Sequence, residues 1–483
     1  MSQRIPPPVP DSAPDLEVEL DRDIHEECGV MGVYAPGEEV ARIAFFGIYA
    51  LQHRGQESAG FASTDGSRIR IKTAMGLVSQ GLDEDDIALL PGHAAIGHTR
   101  YSTTGSSRKR NAQPIRSKGP NGEIALAHNG NVVNAAPLRK ELEEWGCRFD
   151  TSSDSEIIAH MLTNVPGADW GERIATVMRR LSGAYSLTVL TKDAVMGIRD
   201  PLGVRPLCIG KLDAGWVIAS ETCALDHIGA TFFREVHPGE AVIIDSMGLR
   251  TIYKREQNGC ASCIFENIYF ARPDSVIDDK LVYNQRVSMG AELAREHPVE
   301  ADMVIGVPDS AIAAAVGYSR ESKIEYGEGL VKNRYVGRTF ILPDQRLREL
   351  GVRRKLNPLP EVIKGKRLIV VDDSIVRGTT TPHVVNLLKR GGAKEVHLRI
   401  CAPPIQHPCH LGVDLATRRE LIAANKSVEE IRQYVGADSL GYLSIDGLLK
   451  SVDLPRNRVC LGCFTGDHPI PVQLEMDKLA LEV

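Results

Sequence analysis

The chain carries 483 residues, 43% hydrophobic and 25% charged, with a formal net charge of −6. That balance suits a soluble globular protein of two or three domains. The acidic surplus argues against a dedicated nucleic-acid binder, and no apolar run approaches the length that spans a bilayer.

Residues 1–27 hold eight acids against two arginines, without a basic start or an apolar centre. They do not read as a signal peptide. They read as a disordered leader, Pro-rich and then acidic, and a cytoplasmic location follows as the default.

Ordered text begins abruptly at Cys28. From there to about residue 253 short apolar strands broken by glycine dominate (GVMGVY, AAIGHTR, IALAHNG, YSLTVL, WVIAS, EAVIID), with helical stretches such as 156–162 between them. This is sheet-rich α/β material without a regular βαβ beat. A cysteine at the edge of a leader has a chemical use. A thiol nucleophile needs a nearby base, and cleavage before Cys28 would free its own α-amine, of pKa ~7.7–8.0 beside a thiol of ~8.5. While the leader is attached, that nitrogen is a non-basic amide. The alternative is a buried cysteine.

After residue 254 the rhythm changes to strand, loop, helix, strand. RLIVVDDSIVRGTTTPHVVNLLKRGGAKEVHLRI is a βαβ unit of a doubly wound parallel sheet, whose ligands sit at the strands' carboxyl ends. Its strand delivers Asp372 and Asp373 to a loop, Ser374, Ile375, Val376, Arg377, Gly378, Thr379 and Thr380, that opens onto a helix. Backbone N–H groups at such a helix start suit a phosphate monoester. The acids can accept from ribose hydroxyls, or hold a Mg²⁺ shared with a pyrophosphate. Between the strand ending in GVPDSA (306–311) and this unit lies a basic stretch, 332–357, with eight Lys or Arg against Asp344 and Glu349. It reads as a lid over a polyanion, or as a solvated surface.

Ten cysteines in a reducing compartment ask for a nucleophile, a metal or burial rather than disulfides. Cys147, Cys208, Cys223 and Cys401 lie in unremarkable surroundings and read as small buried hydrophobes. Cys260-x-x-Cys263 and Cys460-x-x-Cys463 have, by spacing alone, the pattern of a four-thiolate zinc site.

CGVMGVY, LQHRGQESAG, GHTRYSTTG, AHNGNVVN and TSSDSE together resemble the N-terminal-nucleophile glutamine amidotransferases. The resemblance implies an αββα sandwich over 28–253, with Cys28 attacking the side-chain amide of glutamine. It makes Asn129 and the Gly130 N–H the oxyanion hole, where such donors are worth ~3–4 kcal/mol. Arg100 would grip the glutamine α-carboxylate, Asp154 would pair with its α-ammonium, and Arg54 and Gly55 would belong to the loop closing over it. His53, His98 and His128 read as packing or hydrogen-bonding groups.

VVDDSIVRGTT resembles the diphosphoribosyl signature of the type I phosphoribosyltransferases, which implies that fold over 254–483 and places Ser310 in a Mg²⁺ and pyrophosphate shell. The two halves together imply one reaction, in which ammonia from glutamine displaces pyrophosphate from phosphoribosyl pyrophosphate. The product would be 5-phosphoribosylamine, at the start of purine biosynthesis, with purine nucleotides as feedback inhibitors and a homotetramer as the assembly. One branch of such enzymes carries a [4Fe–4S] cluster. Its pattern makes Cys263, Cys409, Cys460 and Cys463 the ligands and leaves Cys260 a spare. The competing readings are a related amidotransferase with another acceptor, and a non-catalytic nucleotide-sensing regulator. The diphosphoribosyl loop speaks against the first, and the intact Cys28 set against the second.

Overall fold

The computed structural model describes residues 28–101, 107–255, 259–333, 356–413, 417–470 and 481. The leader 1–27 and most of the basic stretch, 334–355, lie outside the described residues. The strands flanking that stretch pair with each other, Lys332 opposite Leu356.

In the first half two antiparallel sheets stack. The seven-stranded sheet has Gly29–Tyr34 at its centre, between Gly215–Ala219 and Ala94–Arg100; the six-stranded sheet has Gly183–Leu190 between Val195–Arg199 and Gly122–Val132. The period-2 alternation of a strand explains why GVMGVY is buried throughout. Val30 faces the other sheet, in a cluster with Ile96, Ala125 and Val195. Met31 and Val33 point the opposite way, onto Ala44 and Ile48 of the helix Val40–Ala50. The outer face of the six-stranded sheet is covered by the helices Ala135–Glu144, Asp154–Asn164 and Trp170–Arg180, which pack Leu138, Ile157, Leu162 and Val177 against Leu126, Leu187 and Val189. Helix, sheet, sheet, helix is the αββα order expected. Each fully buried Val, Leu or Ile here is worth about 1.5–3 kcal/mol of transfer free energy.

The last strand of this half is Gly248–Lys254. Beyond it, Met303–Gly306, Arg367–Asp372, Glu395–Ile400 and Ser439–Tyr442 form a four-stranded sheet, parallel at every junction. Val282–Glu296, Ile312–Ser322 and Ile445–Val452 cover one face through Met289, Leu293, Ala315 and Leu448. Thr381–Arg390 and Val428–Val435 cover the other through Val384, Leu388 and Ile431. The sheet is therefore doubly wound; Glu395–Ile400 alternates Val396, Leu398 and Ile400 with the buried polar side chains of His397 and Arg399. The two halves share a core, since Ala184 and Val204 of the first pack in one cluster with Phe265, Leu411 and Phe464 of the second.

Candidate functional site

Cys28 stands immediately before the strand Gly29–Tyr34, 6% exposed, and its thiol donates to the Tyr101 carbonyl at 3.2 Å. Burial pushes the thiol up to about 11, against the pull of that hydrogen bond and the charge of Arg100. Glu57 and Asp154 also act on it, so residues far apart in sequence converge around one sulfur. Arg100 ends the neighbouring strand, is 2% exposed, and lies 3.5 Å from Glu57.

Asn129 and Gly130 lie in the long strand Gly122–Val132. The Asn129 side chain is 1% exposed, and its amide nitrogen is a buried donor without a partner among the described residues. Such an orphan is costly unless something else is to be bound. Gly130 has φ +145°, and a Cβ there would stand 2.1 Å from the Ala184 carbonyl oxygen, so only glycine keeps this backbone in place.

Asp154 opens the helix Asp154–Asn164 and is 4% exposed; it accepts from the Val132 N–H at 2.9 Å. Burial alone would raise its carboxyl, but the His128 ring at 3.7 Å and backbone donors outweigh that and hold it below the usual range. His128 also meets Ser155 at 3.1 Å, and its backbone N–H donates to Gln113. Burial takes His98 down to about 3, so it is neutral, and its Nε2 meets the His128 carbonyl at 3.1 Å. The histidines are hydrogen-bonding groups, as read.

The Arg54 side chain is held by its own set of partners. Its guanidinium is 1% exposed and donates to the Cys28 carbonyl at 3.1 Å, to Glu221 at 2.5 Å and to Glu266 at 2.7 and 3.0 Å. The side chain is turned into the junction of the two halves. Gly55 does lie against the glutamine-gripping candidate: a Cβ on it would come within 2.6 Å of the Arg100 carbonyl carbon. Sequence reasoning missed Glu221, Glu266 and Gln113. The signal for the two acids was a lone carboxylate inside an apolar run, IASETCAL and CIFENIYF, since a buried acid requires a partner.

At the second site Asp372 ends its strand, and its carboxylate accepts from the Asp373 N–H at 2.9 Å. Asp373 accepts from the Ser310 hydroxyl and from that of Ser374 at 2.6 Å. Burial raises its carboxyl in spite of these bonds and of the charge of Arg286. Ile375 and Val376 are 2% and 3% exposed and pack into the two cores on either side of the sheet, so they offer a ligand backbone alone. Gly378 takes φ +72°, Thr380 precedes the helix Thr381–Arg390, and Arg377 lies 3.4 Å from Glu420.

All ten cysteines are free thiols. Cys208, Cys223 and Cys401 are buried as expected, while Cys147 is half-buried. Cys263 and Cys460 sit opposite each other in a short parallel pair of strands. The charges of Cys409 and Cys460 act on Cys263, and those of Cys263, Cys409 and Cys460 act on Cys463. Burial raises Cys263 to about 12 and Cys460 to about 11, and lifts Cys463 as well. Cys260 is not among the leading groups acting on them; it acts on Arg199. Among the described residues, no group of three or more His, Cys, Asp or Glu is set to hold a single metal ion.

A buried thiol with Arg100, Glu57 and Asp154 around it, in one chain with an acid pair and a hydroxyl-rich loop on a parallel sheet, fits a glutamine amidotransferase with a phosphoribosyltransferase-type second half. Residues 98–227 match the family model of a glutamine amidotransferase domain. The amidophosphoribosyltransferase of Synechococcus elongatus is 49% identical over 476 residues, covering 97% of each chain. A solved structure of the allosteric regulatory enzyme of purine biosynthesis superposes with a TM-score of 0.89 at 45% identity, over 94% of this chain and 99% of that one. The glutamine phosphoribosylpyrophosphate amidotransferase from B. subtilis, complexed with ADP and GMP, gives 0.88 at 45% identity, over 93% and 99%. The chain belongs to the amidophosphoribosyltransferase family. Among the described residues no helix is long and apolar enough to cross a membrane.

Proposed function

We propose that the chain converts glutamine, phosphoribosyl pyrophosphate and water to glutamate, 5-phosphoribosylamine and pyrophosphate, the first step of de novo purine biosynthesis. The observation that carries this is the unpartnered, buried Asn129 amide in the same chain as the Asp372–Asp373 loop. The Cys28 thiolate attacks the glutamine amide carbon, and the oxyanion is received by Asn129 Nδ2 and the Gly130 N–H. Arg100 and Asp154 hold the substrate's α-carboxylate and α-ammonium. Removal of residues 1–27 supplies the base, because the freed α-amine takes the thiol proton and returns it to the leaving ammonia. Water then hydrolyses the thioester to glutamate. Ammonia attacks C1 of the phosphoribosyl group, expelling pyrophosphate, while the 374–380 loop holds the 5-phosphate.

Asp372, Asp373 and Ser310 would hold Mg²⁺, which supplies neutralising charge to the departing pyrophosphate. A half-buried carboxylate raised by desolvation fits a cation. Cys263, Cys409, Cys460 and Cys463 would hold a [4Fe–4S] cluster with a structural role. Two buried thiols, Cys263 and Cys463, raised by burial and by the charges of their cysteine neighbours, fit a centre that compensates thiolate charge. Purine nucleotides are the feedback ligands, the assembly is a homotetramer, and the setting is cytoplasmic, where free thiols persist.

The test follows glutamate and pyrophosphate release from protein purified without oxygen. Equal release of both, dependent on both substrates and Mg²⁺, is expected. Glutamate release indifferent to phosphoribosyl pyrophosphate would overturn the acceptor. DNA binding in place of catalysis would identify a regulator.

A further inference from the structure

A loop of the second half lies directly on the strand that carries Asn129 and Gly130. Asn131 Nδ2 donates to the His410 carbonyl at 3.0 Å. The fully buried Arg205 donates from Nη2 to the next carbonyl, that of Leu411, at 2.5 Å. The Leu411 N–H donates in turn to the Cys409 sulfur at 3.4 Å. These bonds seat Gly412 against Gly130. A Cβ on Gly412 would stand 3.2 Å from the Gly130 carbonyl carbon, 3.4 Å from its Cα and 2.8 Å from Arg205 Nη2. Gly412 takes φ +109° and Gly130 takes φ +145°, so both backbones lie where only glycine is free of strain. Gly130 is therefore enclosed. The Ala184 carbonyl stands where a side chain of its own would go, and the loop 410–412 lies along its backbone.

We propose that Gly412 is a positioning residue that fixes the Gly130 N–H for the tetrahedral intermediate, so that the second half braces the oxyanion hole of the glutamine site. This rests on the reading of Cys28, Asn129 and Gly130 given above. Gly412 touches no reacting atom and acts through the backbone of Gly130. An oxyanion hole accelerates only if its donors are already aimed where charge develops. Gly130 lies two residues from the end of its strand at Val132, and the packed loop is what holds it from the far side. Close-packed interiors pass a displacement on to what they touch, so an added methyl at 412 moves the Gly130 Cα and the N–H beside it.

The test compares wild type with Gly412→Ala in the full enzyme, freed of residues 1–27 and purified without oxygen. Glutamine-dependent kcat should fall about 10- to 100-fold with KM for glutamine nearly constant, as for a catalytic donor displaced by less than about 1 Å. Ammonia-driven pyrophosphate release should persist. Alkylation of Cys28 by iodoacetamide should keep its wild-type rate, because that displacement forms no oxyanion, whereas a merely loosened site would change it. Where Gly412→Ala fails to fold, Asn131→Ala removes the bond to the His410 carbonyl without adding an atom and must give the same division. A folded variant with unchanged kcat overturns the inference. So does a change in KM or in the alkylation rate in place of kcat, or an equal loss with glutamine and with ammonia. Wild-type enzyme that releases no glutamate from glutamine fails earlier, at the functional reading, and takes the inference with it.

Discussion

The Cys28 thiol donates to the Tyr101 carbonyl oxygen at 3.2 Å across 73 positions of sequence. A thiol that donates there is protonated, and burial keeps it so until about pH 11. Since the thiolate is the reactive form, alkylation of Cys28 in the chain that retains residues 1–27 should climb about tenfold per pH unit from neutrality upward, without levelling below pH 10. After removal of the leader the neutral-pH rate should rise, because the freed amine is a base beside the sulfur. A plateau near pH 8 in the uncut chain would contradict the burial assigned to this site.

Asn129 contributes a buried amide donor that has no partner among the described residues. In the mechanism proposed above, its replacement by Ala would remove a bond made in the transition state and leave the ground state alone. Glutamine-dependent kcat should fall about 10²–10³-fold with KM for glutamine nearly constant. The ammonia-driven reaction should persist, and steady-state kinetics with each nitrogen source checks both halves. A rise in KM alone would assign Asn129 to binding.

Much of this was legible because it is local. The acid pair, its loop and the helix behind them occupy consecutive residues, so strand end, phosphate-binding turn and helix start can be read in order. SSDSE was equally readable, since Ser153 caps the helix that Asp154 opens. What was not legible is tertiary. The acids that hold Arg54 lie 167 and 212 positions away, and no spacing rule connects them. Likewise, the sequence pattern names Cys263 over Cys260 but cannot show that strand register sets Cys263 opposite Cys460.

The depressed Asp154 carboxyl gives a pH dependence whose sign is fixed. A carboxylate held below its unfolded value stays ionised until the pH falls through that lower value, so its contribution to glutamine binding and to stability is present above the ordinary range of ~3.9 and lost only in stronger acid. Binding of glutamine measured by calorimetry between pH 5 and 8 should therefore show no titration from this residue. Under the proposed mechanism Asp154→Asn should weaken binding about tenfold or more, because it would remove the charge offered to the α-ammonium.

At the second site Asp373 receives Ser310 and Ser374 while its own burial works against ionisation. Asp373→Asn removes the charge that a ribose diol or Mg²⁺ would draw on. Phosphoribosyl pyrophosphate should bind at least about tenfold more weakly, whereas Ser310→Ala should cost less, since the acid remains. Glutamine hydrolysis in the absence of the second substrate should be unaffected by Ser310→Ala. Equilibrium binding by calorimetry separates these from effects on the chemical step.

The four thiols give the sharpest division between variants. Cys263, Cys409, Cys460 and Cys463 act on one another, and two of them belong to the shared core whose other members include Phe265 and Phe464. A metal centre there would tie three separate stretches of chain to one point, so its loss costs stability in the way that structural metal sites do. Cys463→Ser should abolish iron and acid-labile sulfide in anaerobically purified protein and lower the melting temperature. Cys260→Ser should keep both, because that residue's charge acts on Arg199 instead. Iron and sulfide analysis with thermal melting checks the pair without reference to activity. Zinc in place of iron, or metal lost with Cys260 and retained without Cys263, would redraw the ligand set while leaving the glutamine and phosphoribosyl sites untouched.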